Sequence, residues 1–223
     1  MCVKNDYLTV QFQKIGGALS SIKDRDGVEY LWQGDPTYWS GQAPVLFPIC
    51  GSLRKDWAIY RSNERPYFTG TIPRHGLVRK QLFQYKQVNN HRIVFTIQSD
   101  EEMYKNYSYR FRLTIQYRLE GRKIYTDYLI ENLETNKTMP FFIGGHPGCN
   151  CPLFSYENYD DYYLEFEKEE TYSVPKQFPD TGLLDCLNRT PFITSIYSLP
   201  LLIFNSDTIF IAFSIFLIPE IVL

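Results

Sequence analysis

An all-β chain, folded as a large antiparallel β-sandwich, is what this sequence predicts, and three observations carry that expectation. From Tyr107 to Leu119 every odd position is apolar or aromatic, while the even positions hold Ser108, Arg110, Arg112, Thr114, Gln116 and Arg118. That is the period of a long strand with one wet face. Turn-forming pairs (Gly16-Gly17, Asp26-Gly27, Asn89-Asn90 and Glu120-Gly121) separate further runs of this kind, as antiparallel hairpins require. No segment sustains a helical period, so the apolar faces have only other sheets to pack against.

The shorter strands follow in order at 8–12, 28–32, 93–97, 124–130 and 162–166, each rich in Val, Ile, Leu, Tyr or Phe. Between the last two, Phe141-Phe142-Ile143 suits a buried strand, Gly144-Gly145 frees the backbone, and Pro147-Gly148 forbids continuing the ladder. His146 is thereby expected at a strand end. Aromatic residues make up 17% of the chain, enough to supply both extended packing surfaces and rings that stack on sugar faces.

A length of 223 residues fits one domain spanning 1–223, since large all-β folds commonly reach this size and no Gly/Ser linker divides it. The formal charge of −2, with Lys and Arg scattered rather than gathered in a stripe, argues against nucleic acid and for a small neutral or polar ligand. The first residues, Met1-Cys2-Val3-Lys4-Asn5-Asp6, lack the apolar core of a signal peptide, which predicts a cytoplasmic protein. Five cysteines at irregular spacing make a disulfide framework unexpected. His146, Cys149 and Cys151 lack a clear fourth ligand, so no metal is expected.

Two of the three histidines sit beside glycine: His75 in Arg74-His75-Gly76, and His146 in Gly144-Gly145-His146-Pro147. Imidazole is the side chain best suited to exchanging protons near neutral pH, and adjacent glycine lets a ligand approach the backbone. Read from the residues alone, His146 is either such a group or a core histidine satisfied by a backbone carbonyl. His91, in Asn89-Asn90-His91-Arg92, is explained by a hairpin turn.

Four motifs in this order, Gly16-Gly17-Ala18-Leu19-Ser20-Ser21-Ile22, Ala43-Pro44-Val45-Leu46-Phe47-Pro48-Ile49-Cys50-Gly51, Arg74-His75-Gly76-Leu77-Val78-Arg79 and Gly144-Gly145-His146-Pro147, resemble the aldose 1-epimerase (galactose mutarotase-like) family, particularly its LacX-type branch. The resemblance runs from the N-terminus to about Asp207. It implies a supersandwich whose concave face holds a hexose, and a reaction that interconverts α and β anomers by acid/base ring opening without a cofactor. Carried over by motif, His146 is the proton donor to the ring oxygen and His75 a second histidine polarising the same region. Asp185, in Gly182-Leu183-Leu184-Asp185, sits where the family often carries a sugar-contacting aspartate. The family commonly places an arginine just after the Pro-x-x-Gly turn. Here Ser52 occupies that place and Arg54, two residues on and on the same strand face, is either its substitute or a solvated loop cation. Arg79 is a candidate for sugar or phosphate contact, because a rigid guanidinium fork suits paired oxygens. The expected partner is thus a small-molecule aldose, phosphorylated or not, with no nucleic acid and no membrane. A non-catalytic carbohydrate-binding protein of the same fold, or a purely structural β-domain, are the competing readings.

The family's general base is a glutamate in a C-terminal region, followed by a proline and an aromatic residue. Glu220 instead follows Pro219 and precedes Ile221, so it is not assigned as the base. Residues 208–223 lose the alternation seen earlier. Interrupted by Ser214 and Pro219, they fall short of the ~20 apolar residues that span a bilayer. They also exceed a common strand length. The expectation is a frameshifted or prematurely terminated product whose native-like part ends near Asp207, with terminal strands missing. Unpaired edges would then invite association, so the purified chain should scatter light as aggregates. A monodisperse monomer with a sharp melt would overturn that expectation.

Overall fold

The computed structural model describes residues 1–61, 66–68, 70–136, 138–170, 174–178, 180–190, 194–198, 211–212 and 215–217. The chain opens with β1 (Cys2–Lys4), β2 (Leu8–Phe12) and β3 (Leu19–Asp24), a three-stranded antiparallel sheet in the order β1-β2-β3. Leu8, Val10 and Phe12 point into the core, as their period of two requires. A two-residue strand, β4 (Val45–Leu46), is followed by the hairpin of β5 (Ile59–Arg61) and β6 (Pro66–Phe68).

Strands β7 (Gln84–Asn89), β8 (Arg92–Gln98), β9 (Phe111–Glu120) and β10 (Lys123–Asn132) form an antiparallel meander in the order β10-β9-β8-β7. Along β9, Phe111, Leu113, Ile115, Tyr117 and Leu119 are buried, and Ile93, Phe95 and Ile97 of β8 face the same way. Phe47 packs edge-on against Phe111 at 4.8 Å and joins this sheet to the segment carrying β4. On the wet face, Arg110 pairs with Glu101 at 2.6 Å and Arg112 with Glu131 at 3.2 Å. These exposed pairs contribute little to stability.

Next come β11 (Ile143–Gly145) and β12 (Gly148–Cys149), then β13 (Tyr163–Glu170), β14 (Val174–Gln177), β15 (Leu184–Thr190) and β16 (Thr194–Ser198). β13 pairs with β16, and β14 with β15. Within the tail, β17 (Ile211–Ala212) lies antiparallel to β12, and β18 (Ile215–Leu217) antiparallel to β11, which makes β11 the middle strand between β4 and β18. The rest of 208–223, including Glu220, lies outside the described residues.

Several elements differ from the sequence expectation for local reasons. Residues 28–32 form only isolated bridges, because the Glu29 carboxylate accepts from the amides of Ile22 at 2.7 Å and Leu31 at 3.0 Å and from the Ser21 hydroxyl, taking the place of ladder partners. The alternation from Tyr107 begins before its strand does. Residues 101–106 form a short helix, α1 (Glu101–Asn106), capped by Asp100 accepting from the Met103 amide at 2.8 Å, and the Tyr107 amide closes it on the Met103 carbonyl. Six residues are too few for a helical period to emerge, which is why the sequence pattern predicts no helix here. Phe141 and Phe142 precede β11 rather than forming part of it, and after Pro147 the chain resumes as β12. Residues 52–54 are not a strand; Arg54–Asp56 is a 3-10 turn.

The hydroxyl of fully buried Tyr117 donates to the Gly17 carbonyl at 2.9 Å, tying β9 to the turn before β3. Tyr117→Phe leaves that carbonyl unsatisfied in the core, and should cost about 1–3 kcal/mol. The check is a lowered urea midpoint at unchanged slope.

Candidate active site

Two glycine-bearing turns set the site. Gly76, with φ +86°, lies so close to the Phe47 carbonyl that a Cβ there would collide with the Phe47 backbone. Phe47 and Gly76 form a parallel bridge, and the Leu77 amide donates to the Phe47 carbonyl at 2.8 Å. Pinned this way, His75 adopts φ +70°, a region non-glycine residues seldom occupy and one that clusters at functional sites.

His75 is joined twice to Gly51: its amide donates to the Gly51 carbonyl at 2.7 Å, and its Nδ1 accepts from the Gly51 amide at 3.2 Å. A ring nitrogen that accepts an N–H carries no proton, so the neutral ring of His75 bears its proton on Nε2. His146 follows β11 and is anchored by its amide to the Pro44 carbonyl at 3.0 Å. The two imidazole rings stand 5.3 Å apart, tilted by 59°, and the Trp39 indole lies 5.2 Å from His146 on another side. Nδ1 of His146 is enclosed and has no hydrogen-bond partner among the described residues. A ligand therefore reaches that ring by its other edge.

Burial lowers the pKa of both histidines. His75 is brought down to about 4, first by burial, then by the charges of His146, Arg79 and Arg74. For His146 burial is again the largest cause; its own backbone raises the pKa, and Arg79 and Arg74 lower it. Among the described residues, the side-chain charges named as acting on either ring are positive.

Arg74 packs its guanidinium over Gly182, where any Cβ would collide with it. The Gly182 carbonyl in turn accepts from the Ser52 amide at 3.1 Å, so the turn at 178–183 is laid over Gly51-Ser52, next to His75. Asp185 follows on β15, half-buried, and its carboxylate accepts from the amides of Leu187 and Asn188 at 3.1 and 3.2 Å and from the Asn188 side chain at 2.6 Å. Arg79 is half-buried on the 3-10 turn Val78–Lys80, with Nε enclosed. Arg54 is exposed on its own 3-10 turn and is not among the charges acting on the histidines. His75, His146 and Arg79 are thus brought together, whereas the Asp185 carboxylate is bonded within its own turn and Arg54 stands apart.

Trp39 and Arg74 escaped the sequence reading. The signal for Trp39 lay in glycines: a Cβ at Gly41 or Gly148 would strike its indole, so both are needed to seat it. Tyr128 was also missed. Its hydroxyl lies against Gly145, and burial, then the neighbouring Cys50, push its pKa up to about 12. With His146, Gly145, Thr126, Val45 and Tyr117 it lines a cavity of about 170 Å³. The cavity is partly open and lies along one side of His146, with core residues Val45 and Tyr117 at its base. Cys149 and Cys151 have their thiol pKa values raised by burial. Among the described residues no three His, Cys, Asp or Glu side chains converge as metal ligands, and no helix is long and apolar enough to cross a membrane.

A model of the aldose 1-epimerase family matches residues 1–204. The plasmid and chromosomal forms of protein LacX from Lactococcus lactis subsp. lactis are each 57% identical over 209 residues, covering 93% of this chain and 70% of theirs. Among solved structures, a galactose mutarotase related enzyme from Lactobacillus acidophilus superposes with a TM-score of 0.76 at 29% identity, over 89% of this chain and 64% of that one. A galactose mutarotase-like protein from Lactobacillus casei shares the fold at a TM-score of 0.70 and 23% identity, over 96% and 67%. The chain thus spans about two thirds of the length of these proteins.

His75 folds with a pKa of about 4 against roughly 6.5 for an unfolded histidine. Its neutral form therefore contributes stability in full above pH ~6.5, and that contribution is lost as the pH falls toward about 4. Ring NMR should find His75 neutral, with its proton on Nε2, throughout pH 5–8. A ring titrating near 6.5 would contradict this geometry.

Proposed function

The chain belongs to the aldose 1-epimerase family, and on that premise we propose that it interconverts the α and β anomers of a hexose by acid/base ring opening in the cytoplasm. One observation carries the reading: two half-buried imidazoles, 5.3 Å apart, meet at the ends of separate glycine-bearing segments with an indole alongside. In this mechanism a base takes the proton of the anomeric hydroxyl while His146 gives a proton to the ring oxygen through its accessible edge; the C1–O5 bond breaks as the C1 carbonyl forms, C1 rotates, and the reverse proton transfers reclose the ring on either face. His75, its Nδ1 occupied by the Gly51 amide, offers Nε2–H as a neutral donor that polarises the same oxygen. The low pKa of His146 makes its protonated form a stronger acid at the cost of its population at neutral pH. Trp39 supplies a face for stacking, and Asp185, on the chain that follows Gly182, is a further sugar-contact candidate. The reaction uses no cofactor or metal, and its base is not assigned to a residue.

The positive surroundings of the histidines favour one alternative, a protein that binds sugar without turning it over, since among the described residues no carboxylate is named as acting on either ring. Magnetisation-transfer NMR of glucose and galactose separates the two. Exchange between anomers should exceed the buffer rate, and His146→Ala should reduce the enzymatic part by ~10²–10⁴-fold. Sugar binding with no exchange would leave the binding protein as the answer.

A further inference from the structure

Ring opening of a neutral hexose gives no reason for the way Arg79 is placed. Its guanidinium is half-buried, Nε is fully enclosed, and among the described residues it takes part in no ion pair and no hydrogen bond. Burying a charge without a partner is costly, and a group with five donors in a rigid fork is suited to paired anionic oxygens. Its neighbours make the cost greater. Arg79 feels Arg74, and both arginines act on His75 and His146. A neutral sugar would be served poorly here, because its hydroxyls need acceptors as well as donors, and the charges gathered round the two rings are all on donors.

We propose that the aldose taken by this site carries an acidic group, a phosphate ester or a carboxylate, and that Arg79 receives it beside the histidine pair. The inference rests on the mutarotase reading of that pair. An arriving negative charge satisfies the guanidinium and offsets the arginine charges that add to burial in keeping both imidazoles neutral. Binding thereby favours protonation of His146, the form that donates to the ring oxygen.

Two readouts test it on the full chain: tryptophan fluorescence for binding, and anomer exchange for turnover. The probes are glucose, glucose 6-phosphate and glucuronate. At least one acidic sugar should bind about 10- to 100-fold more tightly than glucose, the range expected for charge-assisted hydrogen bonds. Arg79→Gln should abolish that preference and Arg79→Lys retain part of it. Inorganic phosphate should compete with glucose 6-phosphate on the natural chain, which keeps the test open should the Gln variant fail to fold. Whichever acidic sugar is preferred identifies the group as ester or carboxylate. Equal affinity for all three sugars, or a preference that survives Arg79→Gln, overturns the inference while leaving mutarotation intact. Tight, Arg79-dependent binding of an acidic sugar without exchange upholds the inference and overturns mutarotation instead.

Discussion

The site depends on a backbone contact that only glycine permits. Residues 75–77 lie against Phe47 closely enough for a parallel bridge, and Gly76 has no Cβ to hold them off. From that contact follow the left-handed conformation of His75, its double attachment to Gly51, and the assignment of its proton to Nε2. The same segment leads into Val78–Lys80, where buried Val78 anchors the turn that presents Arg79. Phe47 is fully buried against Phe111, so the placement of half-buried His75 is tied to the packing of the main sheet.

On the other side, His146 is held by β11, a strand of three residues that would be too short to stand alone. It is stabilised by pairing on both edges, with β4 and with β18. Gly145 faces the Tyr128 hydroxyl of the meander, so that sheet approaches β11 where a side chain would keep it away. Glycine thus acts twice in this site through close approach of backbone to its surroundings, at 76 and at 145.

Electrostatics then separates this site from an ordinary buried histidine pair. Desolvation alone lowers an imidazole pKa, but here two guanidinium groups act in the same direction, and among the described residues no acidic side chain is set against them. A structural histidine is commonly satisfied by a carbonyl. His91 behaves that way, donating Nδ1–H to the Lys4 carbonyl at 2.8 Å in its hairpin turn. His146 Nδ1 has no such partner among the described residues. The two histidines that were singled out by neighbouring glycine are the two that meet, and the third serves its turn.

Alternation along 107–119 was enough to specify an antiparallel sheet and its buried face, because side-chain direction in a strand is set by position alone. The motifs around His75 and His146 marked the acid/base pair for the same local reason: glycine beside a polar residue reports an unusual backbone. Local pattern could not decide where the ladder begins, since Tyr107 keeps the period while closing a helix, nor that Glu29 replaces strand partners with its carboxylate. Nor could it tell that Arg79 would be enclosed and Arg54 exposed, although both sit in turns of the same type. Whether a guanidinium is buried depends on chain brought in from elsewhere. Pairing between 47 and 76, and between the turn at 178–183 and Gly51-Ser52, was settled only when distant segments packed together.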